Sequence, residues 1–131
     1  MEIDHAFTKK PVLVVEDNPL NQNVIVSLLK KTGCQRVDIA PNGLEALNMF
    51  INNDYCILFM DCQMPVMDGF ESAERIRQHE LDNHHARTPI IAVTADVIHS
   101  TYDRCIKSGM DAYIGKPVKL DMLVETLAQW T

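Results

Sequence analysis

The chain has 131 residues, 47% of them hydrophobic and 23% charged, with a formal net charge of −6. That length suits one domain able to bury a core without disulfides or a structural metal, and leaves no room for a second catalytic or DNA-binding module. The composition excludes a disordered chain, and a net negative balance with no cluster of Lys or Arg longer than a pair argues against nucleic acid as a direct partner.

Residues 1–10 have no periodicity and read as a leader or linker remnant, with the domain proper over 11–131. They lack the apolar centre of a secretory signal. No apolar run approaches the roughly 18 to 20 residues of a membrane span, so a cytoplasmic location without membrane contact is expected. Pro11-Val12-Leu13-Val14-Val15 is a buried strand that stops at two acids, Glu16-Asp17. Asn18 as N-cap and Pro19 at the first helical position then open a helix whose apolar stripe is Leu20, Val24 and Leu28 with Ile25 and Leu29, closed by Gly33. Arg36 to Ala40 alternates like an edge strand. Asn42 and Glu45 form a capping-box-like start for a second helix, with Leu44, Leu47, Phe50 and Ile51 expected inward.

Cys56 to Met60 is a run of apolar residues that ends on a carboxylate, Asp61, followed by a loop holding Pro65 and Gly69. This is how a buried parallel strand delivers one side chain to the rim of a sheet. Asp68 and Glu71 open a third helix through Phe70, Ala73 and Ile76, which runs into the polar segment 78–87. Thr88 to Val93 is a fourth strand ending at Thr94. Val97 to Ser108 is a fourth helix with Ile98, Tyr102, Cys105 and Ile106 on one side, capped by Gly109. A short strand, Ala112 to Gly115, ends at Lys116-Pro117, and a last helix carries Leu120, Leu123, Val124, Leu127 and Ala128. Cys34, Cys56, Cys62 and Cys105 show no Cys-x-x-Cys spacing and read as free thiols, mostly filling apolar segments.

Five strands in strict alternation with five helices imply an α/β fold, a doubly wound parallel sheet with right-handed crossovers. Ligands of such sheets bind beyond the carboxyl ends of the strands. Glu16-Asp17, Asp61, Thr94 and Lys116 all fall at that rim.

With these residues in view, the segment from Val12 to about Trp130 resembles the receiver domain of two-component signalling, the phospho-acceptor module of response regulators and hybrid histidine kinases. The matching signatures are Glu16-Asp17, Met60-Asp61-Cys62-Gln63-Met64-Pro65 through Gly69, Thr94-Ala95 and Lys116-Pro117. The stretch Val15 to Gln22 is most similar to receivers attached to hybrid kinases. It leaves open whether the chain is an excised domain of a histidine kinase or stands alone.

The resemblance implies the flavodoxin-like strand order 2-1-3-4-5. It implies that Asp61 is phosphorylated by a phosphohistidine on a histidine kinase or histidine phosphotransfer protein, and that the domain promotes its own phosphorylation and dephosphorylation. The metal site it implies comprises Asp17, Asp61 and the carbonyl of Gln63, with Glu16 acting through water. Lys116 and Thr94 would pair with the phosphoryl oxygens and Tyr113 would be a switch aromatic. It further implies a cis bond at Lys116-Pro117, a water path flanked by Gln63 and Asp96, and a readout surface on the fourth helix, fifth strand and fifth helix or, as in many hybrid kinases, on the first helix. A monomer or weak dimer is expected. The chemistry of the donors agrees: three carboxylates at one rim repel unless a cation joins them, and an all-oxygen set favours Mg²⁺.

Each residue also has a plainer reading. Asp61 suits a cap or a solvated acid, Thr94 an N-cap, Tyr113 simple packing, Lys116-Pro117 an ordinary turn, His84-His85 a solvated loop, and Met64 and Met67 space filling. Three other functions compete. A phosphatase with an aspartyl nucleophile commonly needs a second Asp where this chain has Gln63, an amide that cannot shuttle protons. A flavodoxin-like electron carrier must cradle a phosphate in its first loop, which Glu16-Asp17 would repel. A degenerate receiver used only for docking would lack site residues that are present here.

Overall fold

The computed structural model describes residues 10–95 and 98–131. The leader expected over 1–10 lies outside the described residues except for Lys10, as do Asp96 and Val97. The order of elements is β1 (Val12–Val15), α1 (Pro19–Lys31), β2 (Val37–Ala40), α2 (Gly43–Asn52), β3 (Ile57–Asp61), α3 (Gly69–Asp82), β4 (Ile90–Thr94), α4 (His99–Lys107), β5 (Ala112–Gly115) and α5 (Leu120–Trp130). All strand pairs are parallel, in the order β2-β1-β3-β4-β5.

Strand alternation sorts the core into two layers. Leu13, Val15, Leu58, Met60, Ile90 and Ala92 face α2 and α3, together with Phe50, Ala73, Ile76 and Cys105. Val12, Val14, Ile57, Phe59, Ile91 and Val93 face α1 and α5, meeting Ile25, Leu29, Leu123 and Leu127. The three central strands are buried along their whole length, which is why their sequences are continuously apolar rather than alternating. All four cysteines are free thiols, three of them buried.

The helix starts follow local chemistry. Asn18 Oδ1 accepts from the N–H groups of Leu20 and Asn21, Asn42 Oδ1 from Glu45 N–H, and Asp68 Oδ1 from Glu71 N–H. The apolar stripes are narrower than their sequences suggested. In α1 only Ile25 and Leu29 are buried, whereas Leu20 and Val24 are exposed. Leu44 and Ile51 of α2 are exposed, as is Ala128, while Ala46 and Thr126 lie in the core instead. The largest correction is α4, which begins at His99: Ile98, Tyr102 and Ile106 are exposed, and Cys105 alone of that expected stripe is buried. A helix lying on one face of a sheet buries only the residues whose directions meet strands, and a short helix at the edge of its layer has few strands to meet.

Candidate functional site

Parallel pairing in register brings the carboxyl ends of β1, β3, β4 and β5 to one rim. β1 hands the chain to Glu16, which is buried, and to Asp17, which is exposed. Asp61 closes β3 at 7% exposure. One carboxylate oxygen each from Glu16, Asp17 and Asp61 lie within 4.8 Å of one another. The residue that completes the group comes from β5: Lys116 Nζ donates to Glu16 Oε1 at 3.0 Å and to Asp61 Oδ2 at 3.2 Å. The Lys116–Pro117 bond is cis.

The loop after β3 is shaped around the same carboxylate. Gln63 N–H donates to Asp61 Oδ1 at 3.2 Å, and Gly69 N–H returns to the Cys62 carbonyl at 3.1 Å. A side chain at Gly69 would run into the Asp61 carbonyl, so only glycine lets α3 start this close behind the acid. Glu16 is held from the other side. It accepts from Asn18 N–H at 3.1 Å, and the Gln22 side-chain amide donates to its backbone carbonyl at 2.7 Å.

Among the described residues three carboxylates face one ammonium, which leaves two negative charges out of balance. Asp17 shows the effect: a hydrogen bond with the Glu16 side chain, then burial, hold its carboxyl above the usual range, and Lys116 only partly opposes this. For Lys116, burial favours the neutral amine, but the hydrogen bond to Glu16 and the charge of Asp61 outweigh it and raise its pKa. Unbalanced charge of this kind, with only oxygen donors, is what a hard divalent cation neutralises.

Of the residues singled out from the sequence, Glu16, Asp17, Asp61 and Lys116 converge, with Gln63 in the adjoining loop. Thr94, buried at the end of β4, lines with Gln63 and Cys62 a cavity of about 230 Å³ beside the acids. Tyr113 does not converge on the carboxylates. It is 39% exposed on β5, with its ring edge-on to Tyr102 of α4 at 5.2 Å. His85 packs its ring against Phe50 at 5.3 Å rather than standing free in solvent. A second cavity, about 350 Å³, joins Lys116 to the exposed face of α1 and is lined by Asn21, Val24, Ile25, Pro117 and Val118.

Comparison with known proteins bears directly on this rim. Residues 12–128 match the family model described as the response regulator receiver domain. The chain belongs to that family. It is 44% identical over 127 residues to hybrid signal transduction histidine kinase A of Dictyostelium discoideum, an alignment covering 95% of this chain and 6% of that protein. The receiver domain therefore spans a small fraction of the length of that kinase. A chain from the complex of the Saccharomyces cerevisiae histidine phosphotransfer signaling protein Ypd1 with the receiver domain of Ssk1 superposes with a TM-score of 0.88 at 34% identity, covering 96% of this chain and 91% of that one. The receiver domain of a Pseudomonas aeruginosa sensor histidine kinase, described with a magnesium ion coordinated in its active-site cleft, gives a TM-score of 0.82 at 35% identity, covering 92% and 96% of the two chains.

Proposed function

We propose that this receiver domain, over residues 11–131, is the phospho-acceptor of a phosphorelay, taking a phosphoryl group from phosphohistidine onto Asp61. The observation that carries this reading is the gathering of Glu16, Asp17 and Asp61 around Lys116. The donor chemistry fits Mg²⁺ held by Asp17, Asp61 and the Gln63 carbonyl, with Glu16 through water. When bound, the ion supplies charge neutralisation for a transferring phosphoryl group.

The chain's own residues do the rest. An Asp61 carboxylate oxygen attacks phosphorus in line, the phosphorus–nitrogen bond to the donor imidazole breaks, and the imidazole nitrogen takes up a proton. Lys116, already within 3.2 Å of Asp61, pairs with a phosphoryl oxygen. Thr94 hydroxyl hydrogen-bonds another, drawing its loop toward Asp61. Tyr113, packed outward on Tyr102, turns inward as that loop moves, which changes the surface of α4, β5 and α5.

The donor is a histidine kinase or a histidine phosphotransfer protein, and exposed Leu20 and Val24 beside the Lys116 cavity suit an apolar helical partner. The domain is a monomer or weak dimer, makes no direct contact with nucleic acid or membrane, and works in the cytoplasm. Among the described residues no helix is long and apolar enough to cross a membrane.

Incubation with acetyl phosphate and Mg²⁺, read by intact mass, tests the reading. One added phosphoryl group is expected, lost with a chelator and in Asp61→Asn. Incorporation that survives Asp61→Asn would overturn it. Substituting Gln63, or Asp96 outside the described residues, is expected to change the lifetime of the phosphorylated form more than its yield, as measured by decay of the added mass.

A further inference from the structure

The cysteines read as independent thiols in the sequence, yet two of them meet. Cys62 follows Asp61 at the end of β3 and Cys105 lies in α4, 43 residues on, with their sulfurs 3.8 Å apart. Both are free and buried. Cys62 also lines the cavity of about 230 Å³ shared with Gln63, Thr94, Ser100 and Arg104, which is large enough to admit a molecule the size of hydrogen peroxide. Cys34 and Cys56 differ: the Cys34 sulfur contacts Thr32 Oγ1 at 3.4 Å, and the Cys56 sulfur contacts the Lys10 carbonyl at 3.8 Å.

We propose that Cys62 and Cys105 form an oxidisable dithiol, which a hydroperoxide closes to an intramolecular disulfide between the end of β3 and α4. In the first step the peroxide O–O bond breaks as one sulfur takes an oxygen, giving a sulfenic acid and water. In the second, the other sulfur attacks the first, the S–O bond breaks and a second water leaves. Two thiols lose two electrons and two protons, and hydrogen peroxide is reduced to two waters.

The sulfurs must close from 3.8 Å to a bond of about 2.05 Å, which draws α4 and the end of β3 together. α4 is nine residues long, and Cys105 is its buried anchor among the described side chains. The bond would therefore tie the helix that follows Thr94 to the strand that carries Asp61. This gives the switch a redox input, a consequence that rests on the proposed phospho-acceptor role although the chemistry does not.

The test treats the reduced chain with hydrogen peroxide, quenches with catalase, alkylates under denaturing conditions and maps the peptides. Two of the four thiols are expected to become unreactive, with Cys62 and Cys105 in one crosslinked peptide pair that dithiothreitol releases. Cys105→Ser should give no crosslinked peptide at the same dose, any oxidation of its Cys62 stopping at the sulfenic acid, while Cys34→Ser should crosslink as the parent does. Four alkylatable thiols, a crosslink through Cys34 or Cys56, a crosslink between chains, or oxidation of Cys62 to sulfinic acid without a bond would each overturn the proposal. Because thiols are counted without phosphoryl transfer, failure here is separate from failure of Asp61 to accept phosphate.

Discussion

The two ends of the sheet each gather buried charge, but they balance it differently. At the end where strands begin, Arg77 donates to Glu80, to the carbonyls of Thr88 and Gly109, and to Asp111, all at 2.8 Å. Glu80 also accepts from Thr88 N–H at 2.7 Å, and Asp111 accepts from Ile90 N–H at 2.8 Å and from Arg87 at 2.8 Å. Two arginines meet two acids, and every strong donor shown there has an acceptor. At the opposite rim, among the described residues, Lys116 alone faces Glu16, Asp17 and Asp61. The first cluster is a closed network that fixes α3 against the starts of β4 and β5. The second is left short of positive charge among the described residues, in a position open to solvent at Asp17, an arrangement that suits a cationic ligand.

Removing a charge at each end should sharpen that contrast. Arg77→Ala takes away the partner of buried Glu80, so it should cost about 3 to 5 kcal/mol, a large part of the stability of one domain, as read from the urea midpoint. The folded fraction should still accept phosphate at Asp61. Unchanged stability would mean that the lower network is ornamental.

At the upper rim the sign reverses. Asp17→Asn removes one of three mutually repelling acids and should raise the melting temperature in the absence of metal. The parent chain should gain about 2.7 kcal/mol at a Mg²⁺ concentration about 100-fold above its Kd, and the variant should lose most of that gain. Equal Mg²⁺ responses in the two proteins would remove Asp17 from the ligand set.

The smallest effect is on pH. A carboxyl whose native pKa is raised binds protons better folded than unfolded, so the Asp17 contribution makes the metal-free chain less stable as pH rises from its unfolded value of 3.8 through the raised value. Lys116, raised above 10.5, contributes stability that is complete below 10.5 and is lost as pH climbs through its native pKa. Denaturant midpoints measured across pH should show the acid-side slope flattened in Asp17→Asn and the alkaline loss flattened in Lys116→Met.

Much of this molecule is legible locally. Continuous apolar runs mark buried strands, Asn18, Asn42 and Asp68 start their helices with their own side chains, and the polar residue ending each strand must fall at one rim once the strands are parallel. The alternation of elements therefore determined the fold class, and the strand ends determined where charge would gather. Tertiary structure decided what depends on direction and long separation. Whether Leu20 or Ile25 enters the core depends on where α1 lies on the sheet, and Tyr113 faces Tyr102 because β5 flanks α4. Arg77 finds Asp111 34 residues away, and Cys62 finds Cys105 across 43. No local pattern encodes such meetings, because they arise only when packing brings separate elements within the few ångströms over which hydrogen bonds and sulfur contacts act.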